Sequence, residues 1–220
     1  MAFYSQHNQD RFLELYVFKG HKNGIFMDIG AHDGIDINNT YYFEETHGWT
    51  GINVEANKDV YNKLVVNRPK CINVYCAVTN KDGAAEFIVN KGYTEMLSGL
   101  KSQYDVRHID RLIRENIQHK VVSNTVLIET KKIESICDTH NIKHINYLSV
   151  DVEGAEFEVI KSINFDKLYI DVIGFENNYE DVSEPIMLYL QSKGYIFMNK
   201  TIDIFMIHKD SQFFKNLLTI

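Results

Sequence analysis

The chain has 220 residues, of which 45% are hydrophobic and 24% are charged, a composition that fits one soluble globular domain with a sizeable core. Its formal net charge of -7 argues against bulk nucleic acid as a partner, because nucleic-acid-binding proteins usually present a basic face. There is no apolar run of membrane-spanning length, no signal-like apolar core in residues 1–10 and no Cys-x-x-Cys spacing, so we predict a cytoplasmic protein with reduced thiols and no membrane span.

The first predicted elements are a helix and a strand that ends in a glycine-rich turn. Residues 5–20 predict an entry turn and an amphipathic helix. Residues 25–29 form an apolar run that only Asp28 interrupts, and Gly30 and Gly34 follow it. A strand, a glycine-rich turn and a helix in this order are typical of a nucleotide-type cofactor site. We expect Gly30 to allow a tight turn and Gly34 to let the backbone pass close to a ligand, since neither carries a Cβ.

Polar side chains at this turn and after the second strand extend the predicted site. Asp28 lies within a strand, where a carboxylate is costly unless it is used, and it favours a cationic amino-acid ligand over a pyrophosphate. Residues 37–47 predict a helix with Asn39 and Thr40 on its first turn, where they order the loop or cap the helix. Residues 51–54 predict a strand that ends at Glu55, which suits the two hydroxyls of a ribose. The alternative for Glu55 is an exposed acid at a strand end.

The middle of the chain predicts a third strand and then a less regular segment. Residues 59–67 predict an amphipathic helix, and residues 72–75 predict the third strand. Residues 84–126 are expected to form an insertion on the acceptor side of the site, beginning with a small hairpin. Long loops beside a site often determine substrate specificity. The basic residues of this segment either face an acceptor or form a solvated helix face; they are Lys101, Arg107, Arg111 and Arg114.

Acidic side chains follow the last two predicted parallel strands. Residues 145–150 predict a fourth strand that ends at Asp151, with Glu153 in the turn before a helix over residues 155–162. Residues 169–175 predict a fifth strand that ends at Glu176 and Asn177. The carboxyl ends of parallel strands meet at one edge of a sheet, so these side chains are expected beside the cofactor crevice. Paired acids there suit a general base or a metal ligand, although a helix dipole would also explain Glu153.

A helix and a hairpin complete the predicted fold. Ser183 and Pro185 predict the start of a helix that runs to residue 193. Residues 195–198 and 204–207 predict a closing antiparallel hairpin. We therefore predict a single α/β domain over residues 1–220, with a doubly wound, mostly parallel Rossmann-like sheet that the hairpin closes.

Three motifs together resemble the FkbM family of S-adenosylmethionine-dependent methyltransferases. They are DIGAHDG at residues 28–34, WTGINVEAN at residues 49–57 and LSVDVEGAE at residues 148–156. The resemblance implies a class I methyltransferase fold and transfer of a methyl group to an oxygen, with a hydroxyl of a sugar or glycan as the acceptor. It also implies that Ser5-Gln6 and Gln9-Asp10 cover the cofactor, unless they only cap the first helix. The cofactor-binding residues that it implies are Asp28, Gly30, Ala31, His32, Gly34, Asn39, Thr40, Glu55, Ala56, Ala77 and Asp151.

The resemblance leaves two mechanisms open. In the first, Asp151 or Glu153 is the base that takes the acceptor proton, with His32 as a second candidate. In the second, Mg²⁺ acidifies a bound diol. The oxygen ligands predicted for that ion are Asp151, Glu176 and Asn177.

Two other functions are also compatible with parts of the sequence. An NAD-dependent oxidoreductase would carry a ribose-binding acid, but the loop is Gly-x-x-x-Gly rather than Gly-x-Gly-x-x-Gly, and Asp28 would repel a pyrophosphate. A non-catalytic S-adenosylmethionine-binding module would keep the fold without the chemistry, and the presence of Asp151 and Glu153 argues against it. The sequence specifies neither the acceptor hydroxyl nor an oligomeric state.

Overall fold

The computed structural model describes residues 2–200 and 202–217. Within these residues, a central sheet of seven strands and a smaller sheet of four strands carry the fold. The strands are β1 Ile25–Ile29, β2 Thr50–Glu55, β3 Ile72–Tyr75, β4 Ala77–Val78, β5 Gly83–Val89, β6 Gly99–Leu100, β7 Asn124–Lys131, β8 His144–Val150, β9 Tyr169–Glu176, β10 Tyr195–Lys200 and β11 Asp203–His208.

The helices connect these strands and cover the sheets. The first helix continues as a π-helical turn over Leu13–Phe18, and a 3₁₀ segment spans Gly92–Leu97. The α-helices are α1 Gln9–Phe12, α2 Tyr41–His47, α3 Lys58–Asn67, α4 Val106–His119, α5 Ile133–His140, α6 Glu156–Lys161, α7 Glu180–Ser192 and α8 Phe214–Leu217.

The central sheet has the predicted doubly wound, mostly parallel topology. Its strands lie in the order β10-β11-β9-β8-β1-β2-β3. Strands β1, β2, β3, β8 and β9 are parallel, whereas β10 and β11 form the predicted antiparallel hairpin at the far edge. The chain leaves β1 toward β2 and β3 and later places β8 on the other side of β1. Ligands of open α/β sheets bind at such a reversal, outside the carboxyl ends of the strands.

Both faces of the central sheet are buried, which explains the near-continuous apolar runs of its parallel strands. Successive side chains of a strand point to opposite faces. Phe26 therefore packs with Tyr147 in an aromatic cluster on one face, while Met27 packs with Leu148 in an aliphatic cluster on the other. All four side chains are fully buried.

The small sheet is formed mainly by the segment that the sequence left least defined. Its strands lie in the order β4-β7-β5-β6, and β5 pairs antiparallel with both β6 and β7. The 3₁₀ segment and α4 lie between β5 and β7 in the chain. The hairpin expected near residue 84 is thus part of a larger unit, in which β5 pairs with a strand that is distant in sequence.

Two helices begin three or four residues away from the predicted position. Helix α2 begins at Tyr41 rather than residue 37, because Ile37 has a φ of +48° and Asn38 Oδ1 accepts the backbone N–H groups of Thr40 and Tyr41 at 2.9 and 2.8 Å. Asn39 and Thr40 therefore precede the helix and do not form its first turn.

Helix α7 begins three residues earlier than predicted, at Glu180 instead of Ser183. The carbonyl of Tyr179 accepts the N–H groups of Val182 and Ser183 at 3.0 and 3.1 Å, so the first turn forms before the proline. Pro185 lies inside the helix. A proline lacks only its own N–H, so in an early turn it removes a single bond of the helix.

A fully buried arginine holds the first strand–helix units together. Arg68 follows α3 and is 0% exposed, and its guanidinium pairs with Glu44 of α2. It also donates to the Gly34 carbonyl at 2.9 Å and to Thr40 Oγ1 at 3.3 Å. This contact joins residues of two helices and the turn after β1, and no local sequence pattern predicts it.

We expect Arg68→Ala to lower the free energy of unfolding by about 3–5 kcal/mol, because it leaves the buried Glu44 carboxylate without its counter-charge. Urea unfolding followed by circular dichroism measures the loss. Arg114→Ala is the control, since Arg114 is exposed and its Nε donates to the Asp110 carbonyl at 3.3 Å. Equal stability of the two variants would contradict the anchoring role of Arg68.

The described residues contain no helix with both the length and the apolar character that crossing a membrane requires. Cys71, Cys76 and Cys137 are free thiols, as the sequence predicted.

Candidate functional site

A cavity of about 360 Å³ opens at the carboxyl ends of the parallel strands. Gly30, Glu55, Asp151 and Glu176, which end or follow β1, β2, β8 and β9, all line it. The small sheet and the 3₁₀ segment line the other side, where Leu97 is one of the contributing residues. The cavity therefore lies between the edge of the central sheet and the segment predicted to face an acceptor.

A tight turn at Gly30 joins the strand ends beside this cavity. Gly30 has a φ of +85°, and its N–H donates to the Val54 carbonyl at 3.0 Å. The Asp151 N–H donates to the Ile29 carbonyl at 2.9 Å. A Cβ on Gly30 would lie 1.8 Å from the carbonyl oxygen of Asp151. Glycine is therefore needed both for the left-handed backbone and for the close approach of β1 and β8.

One wall of the cavity carries buried polar side chains. Asp28 is 3% exposed, and its Oδ2 accepts from Asn38 Nδ2 at 2.9 Å and from Thr40 Oγ1 at 2.8 Å. Burial raises the pKa of the Asp28 carboxyl above its ordinary value. Asn39 Nδ2 donates to Ser149 Oγ at 3.2 Å, whereas the buried Asn39 Oδ1 has no hydrogen-bond partner among the described residues. A ligand that donates hydrogen bonds would find acceptors here in Asn39 Oδ1 and the Asp28 carboxylate.

Glu55 is held in place by the backbone of two loops. Its Oε2 accepts the His32 N–H at 3.0 Å, and its Oε1 accepts the Asn57 N–H at 2.6 Å. Burial raises the pKa of the Glu55 carboxyl. His32 has a φ of +52°, and its Nε2 lies 3.3 Å from Glu95 Oε1 in the 3₁₀ segment. Three small side chains line the same cavity, namely Ala31, Ala56 and Ala77.

Two residues predicted to bind a cofactor lie outside the cavity lining. Gly34 has a φ of +83°, and a Cβ there would lie 2.6 Å from Leu64 Cδ1 and from Arg68 Cγ. The close approach at Gly34 is therefore to α3 and the buried arginine, and an approach of Gly34 to a ligand stays a prediction. Thr40 is 0% exposed and contacts Asp28 through its hydroxyl. Both residues shape the loop that carries the site.

Three carboxylates converge at the opposite side of the cavity. Asp151, Glu153 and Glu176 each contribute one carboxylate oxygen, and these oxygens all lie within 4.8 Å of one another. Glu153 has a φ of +54°, an uncommon conformation for a residue other than glycine. The Glu156 carboxylate accepts the N–H of Gly154 at 3.0 Å and so supports the turn. We call Asp151, Glu153 and Glu176 the acid cluster.

Asn177, which the sequence predicted as a metal ligand, does not belong to the acid cluster. Its Oδ1 accepts from Ser183 Oγ at 2.6 Å. Glu176 and Asn178 line the cavity, whereas Asn177 does not. Glu153 contributes the third converging carboxylate oxygen, and Asn177 as an oxygen ligand stays a prediction.

Burial and mutual repulsion raise the pKa values of the acid cluster. Burial, and then the charge of Glu156, raises the pKa of Glu153 to about 8. Burial, followed by the charge of Glu153, raises the pKa of Asp151 well above its usual range. Burial, followed by the charge of Asp151, does the same for the pKa of Glu176. Neighbouring acids of this kind titrate as a coupled set, and a cation or a positively charged ligand beside them lowers their pKa values.

Two further residues line the cavity. The sequence did not predict the first, Asp203, and it gave the second, Arg111, only as one of four basic candidates. Asp203 of β11 lines it, and Gln9 Nε2 donates to Asp203 Oδ2 at 3.1 Å. Burial raises the pKa of the Asp203 carboxyl to about 6. The available signal for Asp203 was an acid at the start of an apolar strand, comparable to the acid within the strand at Asp28. Arg111 is the one residue of the four predicted basic candidates that lines the cavity.

Comparison with known proteins agrees with this architecture. Residues 28–197 match the family model for the methyltransferase FkbM domain. A methyltransferase FkbM from Methylobacillus flagellatus KT superposes with a TM-score of 0.51 at 12% identity, covering 93% of this chain and 48% of that chain. This chain therefore spans about half the length of that protein. The METTL16 MTase domain superposes with a TM-score of 0.51 at 10% identity, covering 90% of this chain and 65% of that chain.

At these identities the two structures support the fold alone, which is the Rossmann-like fold of class I methyltransferases. No protein with a curated description matches the sequence significantly.

Proposed function

The chain belongs to the methyltransferase FkbM family, and from this membership we propose that it transfers the methyl group of S-adenosylmethionine to a hydroxyl oxygen of a sugar or glycan. The observation that carries the proposal is one cavity with two unlike halves. One half contains the Gly30 turn and Glu55, which suit a ligand that bears a ribose. The other half contains the acid cluster, which suits an acceptor that must lose a proton.

The residues of the first half fit S-adenosylmethionine. Glu55 is fixed by two backbone N–H groups, and each of its oxygens keeps a lone pair for a ribose hydroxyl. The unpartnered Asn39 Oδ1 and the buried Asp28 carboxylate suit the ammonium group of an amino acid. Ala56 and Ala77 leave room for a flat ring. When bound, S-adenosylmethionine supplies a methyl group that its positively charged sulfur makes electrophilic.

The second half combines the acid cluster with side chains from the segment over residues 84–126. Ser98 and Arg111 of this segment line it together with Asn178, which follows β9, and all three can exchange hydrogen bonds with hydroxyl groups. This lining supports a polyhydroxylated acceptor such as a sugar. We propose a single methyltransferase domain over residues 1–220, in which residues 84–126 form the acceptor side.

Asp151 or Glu153 acts as the general base in this proposal. The carbon–sulfur bond of the methyl donor would break as the carbon–oxygen bond forms, leaving S-adenosylhomocysteine, and the proton of the acceptor hydroxyl would pass to a carboxylate oxygen. With a pKa of about 8, Glu153 is a much stronger base than an ordinary glutamate. Holding the acceptor in line with the methyl donor lowers the barrier further. His32 is a second candidate base, because it lines the cavity and its buried Nδ1 has no hydrogen-bond partner among the described residues.

The convergence of three carboxylates also favours a second mechanism, in which the acid cluster binds Mg²⁺. Asp151, Glu153 and Glu176 offer hard oxygen ligands at mutual distances within 4.8 Å. Such an ion would acidify the acceptor hydroxyl without a separate base. The two mechanisms differ in how activity responds to a chelator and to the loss of Glu176.

Calorimetric titration followed by assays on a panel of sugars tests the proposed function. We expect binding of S-adenosylmethionine and S-adenosylhomocysteine, no binding of NAD, and methylation of a sugar hydroxyl. Binding of NAD in place of the other two would support an oxidoreductase and overturn the proposal. Binding of S-adenosylmethionine without transfer to any acceptor would favour a non-catalytic module.

We expect Glu55→Ala to weaken S-adenosylmethionine binding by about 2–3 kcal/mol, because a charged hydrogen-bond acceptor for the ribose is lost. Calorimetry measures the change in Kd. Glu129→Ala is the control, since Glu129 is an exposed acid on β7 whose side chain is 59% exposed. Unchanged affinity in a folded Glu55→Ala protein would remove Glu55 from the cofactor site.

A further inference from the structure

The segment over residues 84–126 reaches the half of the cavity that contains Glu55 through one acidic side chain, Glu95. Glu95 lies in the 3₁₀ segment Gly92–Leu97, and its Oε1 lies 3.3 Å from His32 Nε2. The side chains of His32 and Glu95 are 22% and 21% exposed, so most of the contact is shielded from water. Neither mechanism of methyl transfer uses Glu95, although it lines the cavity.

His32 has a backbone conformation that needs support from its surroundings. Its φ of +52° is in the left-handed region, which a residue with a β-carbon adopts at a cost. In this conformation its N–H donates to Glu55 Oε2 at 3.0 Å. Strained conformations of this kind persist where neighbouring groups hold the residue in place. The contact of the His32 ring with Glu95 supplies such a hold.

Glu95 is itself fixed by the segment that carries it. Ser98 Oγ donates to the Glu95 carbonyl at 2.6 Å, which closes the turn after the acid. Thr94 Oγ1 donates to Asn116 Oδ1 at 2.7 Å and so ties the same turn to α4. A carboxylate on a backbone that is tied in this way can restrain the histidine that it contacts.

The other charged groups around this pair are less well placed to hold the His32 ring. Asp33 Oδ1 lies 3.8 Å from His32 Nδ1, which is beyond hydrogen-bond distance, and it accepts the N–H groups of Ile35 and Asp36. Lys63 Nζ lies 3.4 Å from Glu95 Oε1, but its side chain is 54% exposed, and ion pairs in solvent are weak.

The hydrogen-bond pattern fixes which ring nitrogen of His32 carries the proton. Nδ1 has no hydrogen-bond partner among the described residues, whereas Nε2 faces the Glu95 carboxylate, which only accepts. A neutral imidazole has one N–H group, and here that group belongs on Nε2.

We propose that Glu95 is a positioning residue of the cofactor site. Its carboxylate accepts the Nε2–H of His32 and holds the left-handed backbone of that residue, whose own N–H holds Glu55 for the ribose. The segment over residues 84–126 thus contributes to both halves of the cavity. This inference rests on the proposed function, because it takes the ligand of Glu55 to be S-adenosylmethionine.

Calorimetric titration with S-adenosylhomocysteine tests the role of Glu95. Glu95→Ala is expected to weaken binding about tenfold, because His32 relaxes and Glu55 loses a fixed hydrogen-bond donor. Glu95→Gln is expected to stay within about threefold of the parent, since the amide oxygen accepts the same N–H. Glu86→Ala is the matched control, because Glu86 is a 60% exposed acid of the same segment that pairs with Lys101 at 2.9 Å.

A double-mutant cycle separates positioning from a general structural role. In His32→Asn the side chain is too short to reach Glu95, and asparagine adopts the left-handed conformation readily. Adding Glu95→Ala to this variant is expected to change the affinity no further. Equal losses in both backgrounds, or no loss in Glu95→Ala alone, would overturn the proposal. Lys63→Ala that weakens binding as much as Glu95→Ala would assign the effect to the ion pair and also overturn it.

Nuclear magnetic resonance of the ligand-free protein tests the contact without the cofactor. Long-range proton–nitrogen correlation spectra of isotope-labelled histidine show which ring nitrogen is protonated, and His32→Asn identifies the His32 signal. We expect the proton of neutral His32 on Nε2 in the parent, and a changed distribution between the nitrogens in Glu95→Ala. A proton on Nδ1 in the parent would overturn the proposal. If the parent binds neither S-adenosylmethionine nor S-adenosylhomocysteine, the proposed function fails, and this spectrum still decides whether Glu95 holds His32.

Discussion

Replacing Gly30 by valine is expected to reduce S-adenosylmethionine binding at least about 100-fold while far-UV circular dichroism stays near that of the parent. A Cβ at this position would lie 1.8 Å from the carbonyl oxygen of Asp151, so the ends of β1 and β8 must separate. The φ of +85° adds backbone strain, which costs about 1–2 kcal/mol for a residue with a side chain. The displaced strand ends carry the cofactor half and the acid cluster of the same cavity.

Substitution of a second glycine, Gly20, separates the effect of backbone strain from the effect of steric overlap. Gly20 has a φ of +80°, and a Cβ there would meet no atom within 4 Å. Gly20→Val therefore introduces similar backbone strain without an overlap and away from the cavity. We expect it to lower stability modestly and to leave calorimetric affinity unchanged. If Gly30→Val titrates like the parent, the turn has only a structural role and the proposed cofactor site is wrong.

Replacing Asp151 by asparagine is expected to lower turnover by about 10²–10⁴ with little change in cofactor affinity, if Asp151 is the base. Asparagine keeps the size of the side chain but cannot take a proton. Under this mechanism a chelator leaves the parent enzyme active. Under the metal mechanism, a chelator silences the parent, added Mg²⁺ restores it, and Glu176→Gln is nearly as harmful as Asp151→Asn because each loses a ligand.

The control for this experiment is Glu156→Gln. Glu156 lies next to the acid cluster and accepts the N–H of Gly154 at 3.0 Å, a bond that a glutamine oxygen can keep. The variant removes a neighbouring charge but none of the three converging oxygens. Turnover is expected to stay within about tenfold of the parent. Near-parental turnover in both Asp151→Asn and Glu153→Gln would exclude both mechanisms and direct attention to His32.

Much of the central sheet could be predicted because its strands have strong local signals. Buried parallel strands are continuous apolar runs, so the runs that end at Ile29, Glu55, Val150 and Glu176 define them. The turn after β1 could be predicted equally well, since Gly30 adopts the positive-φ backbone conformation that its position in the sequence suggested. Prediction failed where side-chain hydrogen bonds determined the residue at which a helix begins. Asn38 delays the start of α2 by bonding the backbone that the sequence assigned to the helix.

The candidate site likewise has residues whose position could be predicted and contacts that could not. Asp28, Glu55 and Asp151 could be placed near one another because they lie in or directly after parallel strands, whose carboxyl ends share an edge. The partners of these residues were not predictable. Glu153 joins Asp151 and Glu176, whereas Asn177 turns toward Ser183. That choice depends on which way a strand-end side chain points, which the pleat and the neighbouring helix decide together.

By itself the sequence determined the elements whose signal is local: the parallel strands, the glycine turn and the acids at the strand ends. Periodicity and strand polarity are properties of short segments, so no distant residue is needed to recognise them. Only the tertiary structure decided that Arg68 pairs with Glu44, that β5 pairs with β7, and that α4 leaves Ile113 and Ile117 exposed. Each of these depends on contacts between segments far apart in the chain, where side-chain direction and burial are set by packing.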